Sequence, residues 1–128
     1  MKYPAAILFI FIFYTTATAE KLKMFHNDSV HEHYYDRDSI SYPVMKIASN
    51  TPDKSIIELW EVRKTVATNY LKRFEKRINC NNRQITTKKI IENGKINYDY
   101  RNYNTSMMQP NTADYYLFRE VCIYDRYR

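Results

Sequence analysis

The sequence predicts an α+β fold: an antiparallel sheet of about five or six strands, with one C-terminal helix packed on it and tethered by a disulfide. Three observations carry that expectation. Short runs rich in β-branched and aromatic residues, several of them alternating with period two, fill most of the chain. Residues 111–125 change to helical spacing instead. The only two cysteines, Cys80 and Cys122, fall one in each kind of segment.

The N-terminus, residues 1–19, reads as a signal peptide cleaved before Glu20. Lys2 supplies the positive charge, residues 5–13 are an unbroken apolar run, and Ala17 and Ala19 are the small residues of a cleavage site. The run falls short of the roughly 20 residues a membrane span needs. The expected mature protein is a single domain, residues 20–128, exported to the periplasm or secreted to the cell surface. No transmembrane segment remains after cleavage, and no cysteine lies near the cut to carry a lipid anchor. Cleavage removes only Lys2 among the charged residues, so the formal net charge is +5, one below the +6 of the whole chain. In an oxidising compartment a lone cysteine pair closes into a bridge, and a domain this small gains from such a staple. The sole glycine, Gly94, argues against a Gly-rich phosphate loop.

From Glu20 onward the elements follow in order. Residues 21–28 (KLKMFHND) alternate, with Leu22, Met24 and His26 on one face and Lys21, Lys23 and Phe25 on the other, as in a first strand. Val30, Tyr34 and Tyr35 lead into Asp36-Arg37-Asp38-Ser39, a polar turn. Residues 40–49 read as a strand that Pro43 confines to an edge, and residues 50–55 as a loop. Residues 56–67 (IIELWEVRKTVA) are β by composition, with Ile56, Glu58, Trp60 and Val62 on one face. In the next strand Phe74, Ile78 and Cys80 point one way with Lys76 between them, and Arg73, Glu75 and Arg77 point the other. Asn93-Gly94 between two β-runs, residues 84–92 and 95–103, is a hairpin signal. Pro110 before Asn111 and Thr112, with Asp114 in the first turn, starts a helix. Leu117, Phe118, Val121 and Cys122 form its apolar stripe, so Cys122, like Cys80, faces a core.

These residues together resemble the surface-adhesin protein E family of Gram-negative envelope proteins. The resemblance rests on Tyr34-Tyr35 followed by Asp36-x-Asp38-Ser39-Ile40, on Trp60 within a β-run, and on Ile78-Asn79-Cys80 ending a basic strand. The hairpin at Asn93-Gly94 and Pro110-Asn111-Thr112 leading to Val121-Cys122 complete it. It spans roughly residues 30–122 and implies an antiparallel sheet with a disulfide-held C-terminal helix. Studied adhesins of the family bind host matrix and serum proteins. Met107 and Met108 stand where members often carry a tryptophan.

Residues 63–95 hold a basic tract: Arg63, Lys64, Lys72, Arg73, Lys76, Arg77, Arg83, Lys88, Lys89 and Lys95, against only Glu75 and Glu92. On adjacent strands these cations form a basic sheet face that attracts acidic proteins, sulfated glycans or lipopolysaccharide phosphates. Tyr70, Tyr98, Tyr100 and Tyr103 would add stacking. The same charges also suit a face that only keeps a small domain soluble. Export makes nucleic acid the least expected partner. His31-x-His33 puts two imidazoles on one strand face near His26, Asp28, Glu32 and Asp36, but no third ligand stands at a diagnostic spacing, so no metal and no cofactor are expected. Asp36 and Asp38 suit turn hydrogen bonds better than acid/base work. No nucleophile elbow, His-Glu-x-x-His or C-x-x-C is present. The sequence therefore predicts a non-enzymatic, adhesin-like binding protein for host matrix or serum proteins or sulfated glycans. The alternative is a soluble periplasmic accessory protein that binds a bacterial protein or lipopolysaccharide. Exposed sheet edges leave a homodimer open.

Overall fold

A computed structural model describes residues 21–93, 95–97 and 104–124. The expected signal peptide (residues 1–19), Glu20, Gly94, Tyr98, Tyr100 and Tyr103 lie outside the described residues. The chain builds β1 (Leu22–Asn27), β2 (His31–Asp36), a 3₁₀ turn (Arg37–Ser39), β3 (Met45–Lys46), β4 (Thr51–Pro52), β5 (Ile56–Thr65), β6 (Tyr70–Asn79), β7 (Gln84–Glu92), β8 (Lys95–Asn97) and β9 (Asn104–Met107). Helix α1 (Ala113–Phe118) follows and continues as a π-helical segment over Arg119–Tyr124. Among the described residues no helix is long and apolar enough to cross a membrane.

Seven strands, rather than five or six, form the main sheet, in the order β1-β2-β5-β6-β7-β8 with β9 also paired to β7. All pairings are antiparallel. The Glu92↔Lys95 pairing confirms the hairpin around Asn93. With one glycine in the sequence, asparagine takes over the left-handed turn positions: Asn50, Asn69, Asn93 and Asn111 all have positive φ, joined by Arg83. Asparagine tolerates that region better than other non-glycine residues. The expected strand over residues 40–49 is not formed. Ser41 makes one bridge to Glu58, and Met45–Lys46 pairs only with Thr51–Pro52. Pro43 removes a ladder donor from that stretch. The turn at Asp36 forms as read: its side chain accepts from the Asp38 backbone N at 3.0 Å.

The core lies between the sheet and the helix. Tyr35, Ile57, Leu59, Ile78 and Ile85 from the strands meet Met108, Leu117, Phe118, Val121 and Cys122. The whole predicted stripe of the helix is thus buried. Thr112 caps it, accepting from the Tyr115 backbone N at 3.3 Å. The Cys80–Cys122 disulfide closes across this interface, with the Cα atoms 5.7 Å apart. In β1 a bulge between Met24 and His26 shifts the alternation. Phe25 packs against the core, while His26 stacks on Tyr116 of the helix, ring centroids 4.9 Å apart.

Candidate functional site

Strand alternation divides the basic tract between two faces. Register places Arg63, Lys72 and Lys76 on the helix side, beside Phe74 and Leu59. Lys64, Arg73, Arg77, Lys88 and Lys89 lie on the outer face, with Trp60, Val62 and Glu58. The expectation of one basic face is corrected accordingly: residues 63 and 64, 72 and 73, and 76 and 77 are neighbours in straight strands and must point opposite ways. Lys88 and Lys89 share a side only because β7 carries a bulge there. Arg83 sits in the β6–β7 turn with its guanidinium 5.9 Å from the Phe118 ring centre.

The outer face mixes charge signs. Glu58 accepts from Arg77 Nη2 at 2.6 Å and from Lys88 Nζ at 2.8 Å. Glu75 lies 3.5 Å from Lys88, and Glu32 lies 3.6 Å from Lys64. Partial burial raises the Glu58 pKa, but the hydrogen bonds from Lys88 and Arg77 outweigh it and hold the carboxyl below its ordinary value. Among the described residues, five strand cations thus share this face with four carboxylates, Glu32, Asp36, Glu58 and Glu75. Val62, only 1% exposed, lies outside the core cluster, in register between Tyr34 and Arg73.

Lys76 is the cation furthest from the expected role. It is 3% exposed and donates to Glu61 and, at 2.7 Å, to Asp114 of α1. Glu61 itself is fully buried. Its other oxygen meets Arg63 Nη2 at 3.0 Å and His33 Nδ1 at 3.3 Å. Phe74 lies among three cations, with Arg63 4.3 Å, Lys76 5.3 Å and Lys72 5.4 Å from its ring centre. A lone lysine in the apolar stripe Phe74–Ile78 was the visible signal for this network, since a buried cation needs a buried carboxylate. Glu61 and Asp114, the carboxylates that answer it, could not be matched to it from spacing alone.

Comparison with known families, curated proteins and solved structures returns no match for this chain. The chemistry of its side chains therefore carries the functional argument.

A second cluster lies at the β1–β2 hairpin. The sequence offers no third ligand beside His31 and His33 at a diagnostic spacing, yet the fold supplies Asp28. Donor atoms of Asp28, His31 and His33 all lie within 4.8 Å of one another. The His26 ring is 5.5 Å from that of His33.

The Glu61 network makes stability depend on pH. Burial raises the Glu61 pKa, but Lys76 on β6, the hydrogen bond from His33 on β2 and Arg63 on β5 together hold it at about 2, against an ordinary 4.5. An unfolded chain takes up that proton near its ordinary value; the folded one resists until about pH 2. The contribution is therefore fully present above about pH 4.5 and lost as the pH falls toward 2, for about 3 kcal/mol in all. Urea midpoints measured between pH 6 and pH 2 are expected to drop through this window. A Glu61→Gln variant should show a flatter profile; an equally steep one refutes the assignment.

Proposed function

We propose that this chain is an exported, non-enzymatic, adhesin-like binding protein that engages an anionic glycan through the outer face of its sheet. The observation that carries this reading is the excess of cations among the described residues there: Lys64, Arg73, Arg77, Lys88 and Lys89 against Glu32, Asp36, Glu58 and Glu75, around Trp60. The helix occupies the other face. Cations spread over an open sheet face suit a sulfated chain, which binds by counterion release and needs no deep cavity. The likeness of residues 30–122 to the surface-adhesin protein E family supports the same reading.

Heparin is the probe. Replacing Lys64, Arg73 and Lys89 by Ala together leaves the Glu58 pairs intact. The slope of log affinity against log salt should fall by about 2, at roughly 0.7–0.9 per lost contact. Lys54→Ala, away from the face, should leave it unchanged. An unaltered slope in the triple variant would remove the outer face from the proposal.

One observation favours the periplasmic reading. The β3–β4 hairpin and the residues leading into it expose Tyr42, Val44, Met45 and Ile47, the last fully, beside Lys46 and Lys54. Apolar side chains next to cations match lipopolysaccharide, which joins phosphates to acyl chains. Ile47→Asp should abolish binding to lipopolysaccharide micelles while sparing heparin if this second reading holds.

A further inference from the structure

We infer that Asp28, His31 and His33 form a binding site for a divalent first-row metal ion, with zinc as its simplest occupant. The β1–β2 turn builds the site. Asp28 Oδ1 accepts from the backbone N of Val30 at 2.8 Å and of His31 at 2.7 Å, which closes the turn and fixes the carboxylate. Its second oxygen is then directed to His33 Nε2, 3.9 Å away. Alternation along β2 places the His31 ring on the same face as His33, 5.9 Å between centroids. Tetrahedral coordination with bonds of 2.0–2.1 Å separates ligand atoms by about 3.3 Å. The Asp28–His33 gap lies within about 0.6 Å of that, so small side-chain rotations close the set around an ion.

The surroundings of His33 distinguish this cluster from a chance meeting of polar groups. His33 is 5% exposed, and its Nδ1 faces the buried Glu61 carboxylate at 3.3 Å. That contact assigns Nδ1 as the donor and leaves Nε2 for a ligand. A carboxylate behind a histidine is the usual support of a metal ligand, since it fixes the tautomer and raises the basicity of the far nitrogen. Glu61 is anchored in turn by Lys76 and Arg63. The His26 ring, stacked on Tyr116 with an interplanar angle of 8°, stands beside the cluster without joining its donors. Two imidazoles and one carboxylate suit zinc, and three protein ligands leave a coordination position open for water or an external anion.

The test uses the purified mature protein, free of any histidine tag, titrated with zinc chloride by calorimetry. One equivalent should bind, and saturating zinc should raise the melting temperature. Asp28→Asn preserves a turn-closing side chain and removes the charge; His31→Gln removes a partly exposed imidazole. Each is expected to weaken zinc binding roughly tenfold or more while leaving the zinc-free melting temperature within a degree or two of the parent. Wild-type protein that takes up no zinc, or variants that bind it as tightly as the parent, would overturn the site.

Discussion

Lys76→Ala is expected to destabilise the fold by about 3–5 kcal/mol, the usual cost of leaving one member of a buried ion pair without its partner. The reason lies with Glu61. It is fully buried, and Lys76 is bonded to its first oxygen. Without Lys76 the carboxylate keeps Arg63 and His33 on the second oxygen and must otherwise take up a proton or draw in water. Asp114 also loses its partner, and with it the helix loses a polar tie to the sheet. The melting temperature should fall by roughly 12 °C or more for a domain of this size. A double variant, Glu61→Leu with Lys76→Met, replaces the pair by apolar volume and is expected to recover more than half of the loss. Urea unfolding of the three proteins measures this directly. A single-variant loss below about 0.5 kcal/mol would show that the pair is not desolvated.

The same two residues mark where the sequence stops being readable. The helix stripe, the hairpin at Asn93 and the alternation of Phe74 with Ile78 were legible because each is a local pattern. In β5 the grouping of Ile56, Glu58, Trp60 and Val62 on one face is also right. The core, however, takes the opposite face, Ile57, Leu59 and Glu61. Composition favours neither face of that strand, because a buried glutamate looks like a solvated one until its lysine is known. In β1 the core side chain is Phe25, and Leu22 and Met24 are exposed at 41% and 38%. The basic tract misleads for a different reason. A dense run of lysine and arginine looks like one surface in a linear text, whereas a strand sends neighbours to opposite sides. The Asp28–His31–His33 cluster was half legible. The two histidines follow from period two, but Asp28 arrives through a turn whose geometry no spacing rule specifies.

Reduction of the Cys80–Cys122 bridge is the second large effect, expected to cost about 4 kcal/mol for a loop of 42 residues on the chain-entropy account. Its position makes it more than a general staple. Lys76 lies on β6, and Cys80 follows four residues later, one past the end of that strand. Their partners Asp114 and Cys122 lie near opposite ends of the helical segment, the second in its π-helical part. The helix is therefore held near both ends, ionic at its start and covalent near its finish, while its backbone lies against β1. Lys23 adds a third tie, meeting Glu120 at 3.0 Å from the β1 side. Removing either end tie should therefore leave the helix held by the other, and removing both should release it. Cys80→Ala with Cys122→Ala is expected to remain folded but less stable, with the core of Leu117, Phe118 and Val121 still closed. Adding Lys76→Ala to that variant should lose more than the sum of the separate costs, because residues that share one element couple. Amide hydrogen exchange in residues 113–124 reads the outcome. Protection that persists in the triple variant, or losses that simply add, would show that apolar packing alone seats the helix.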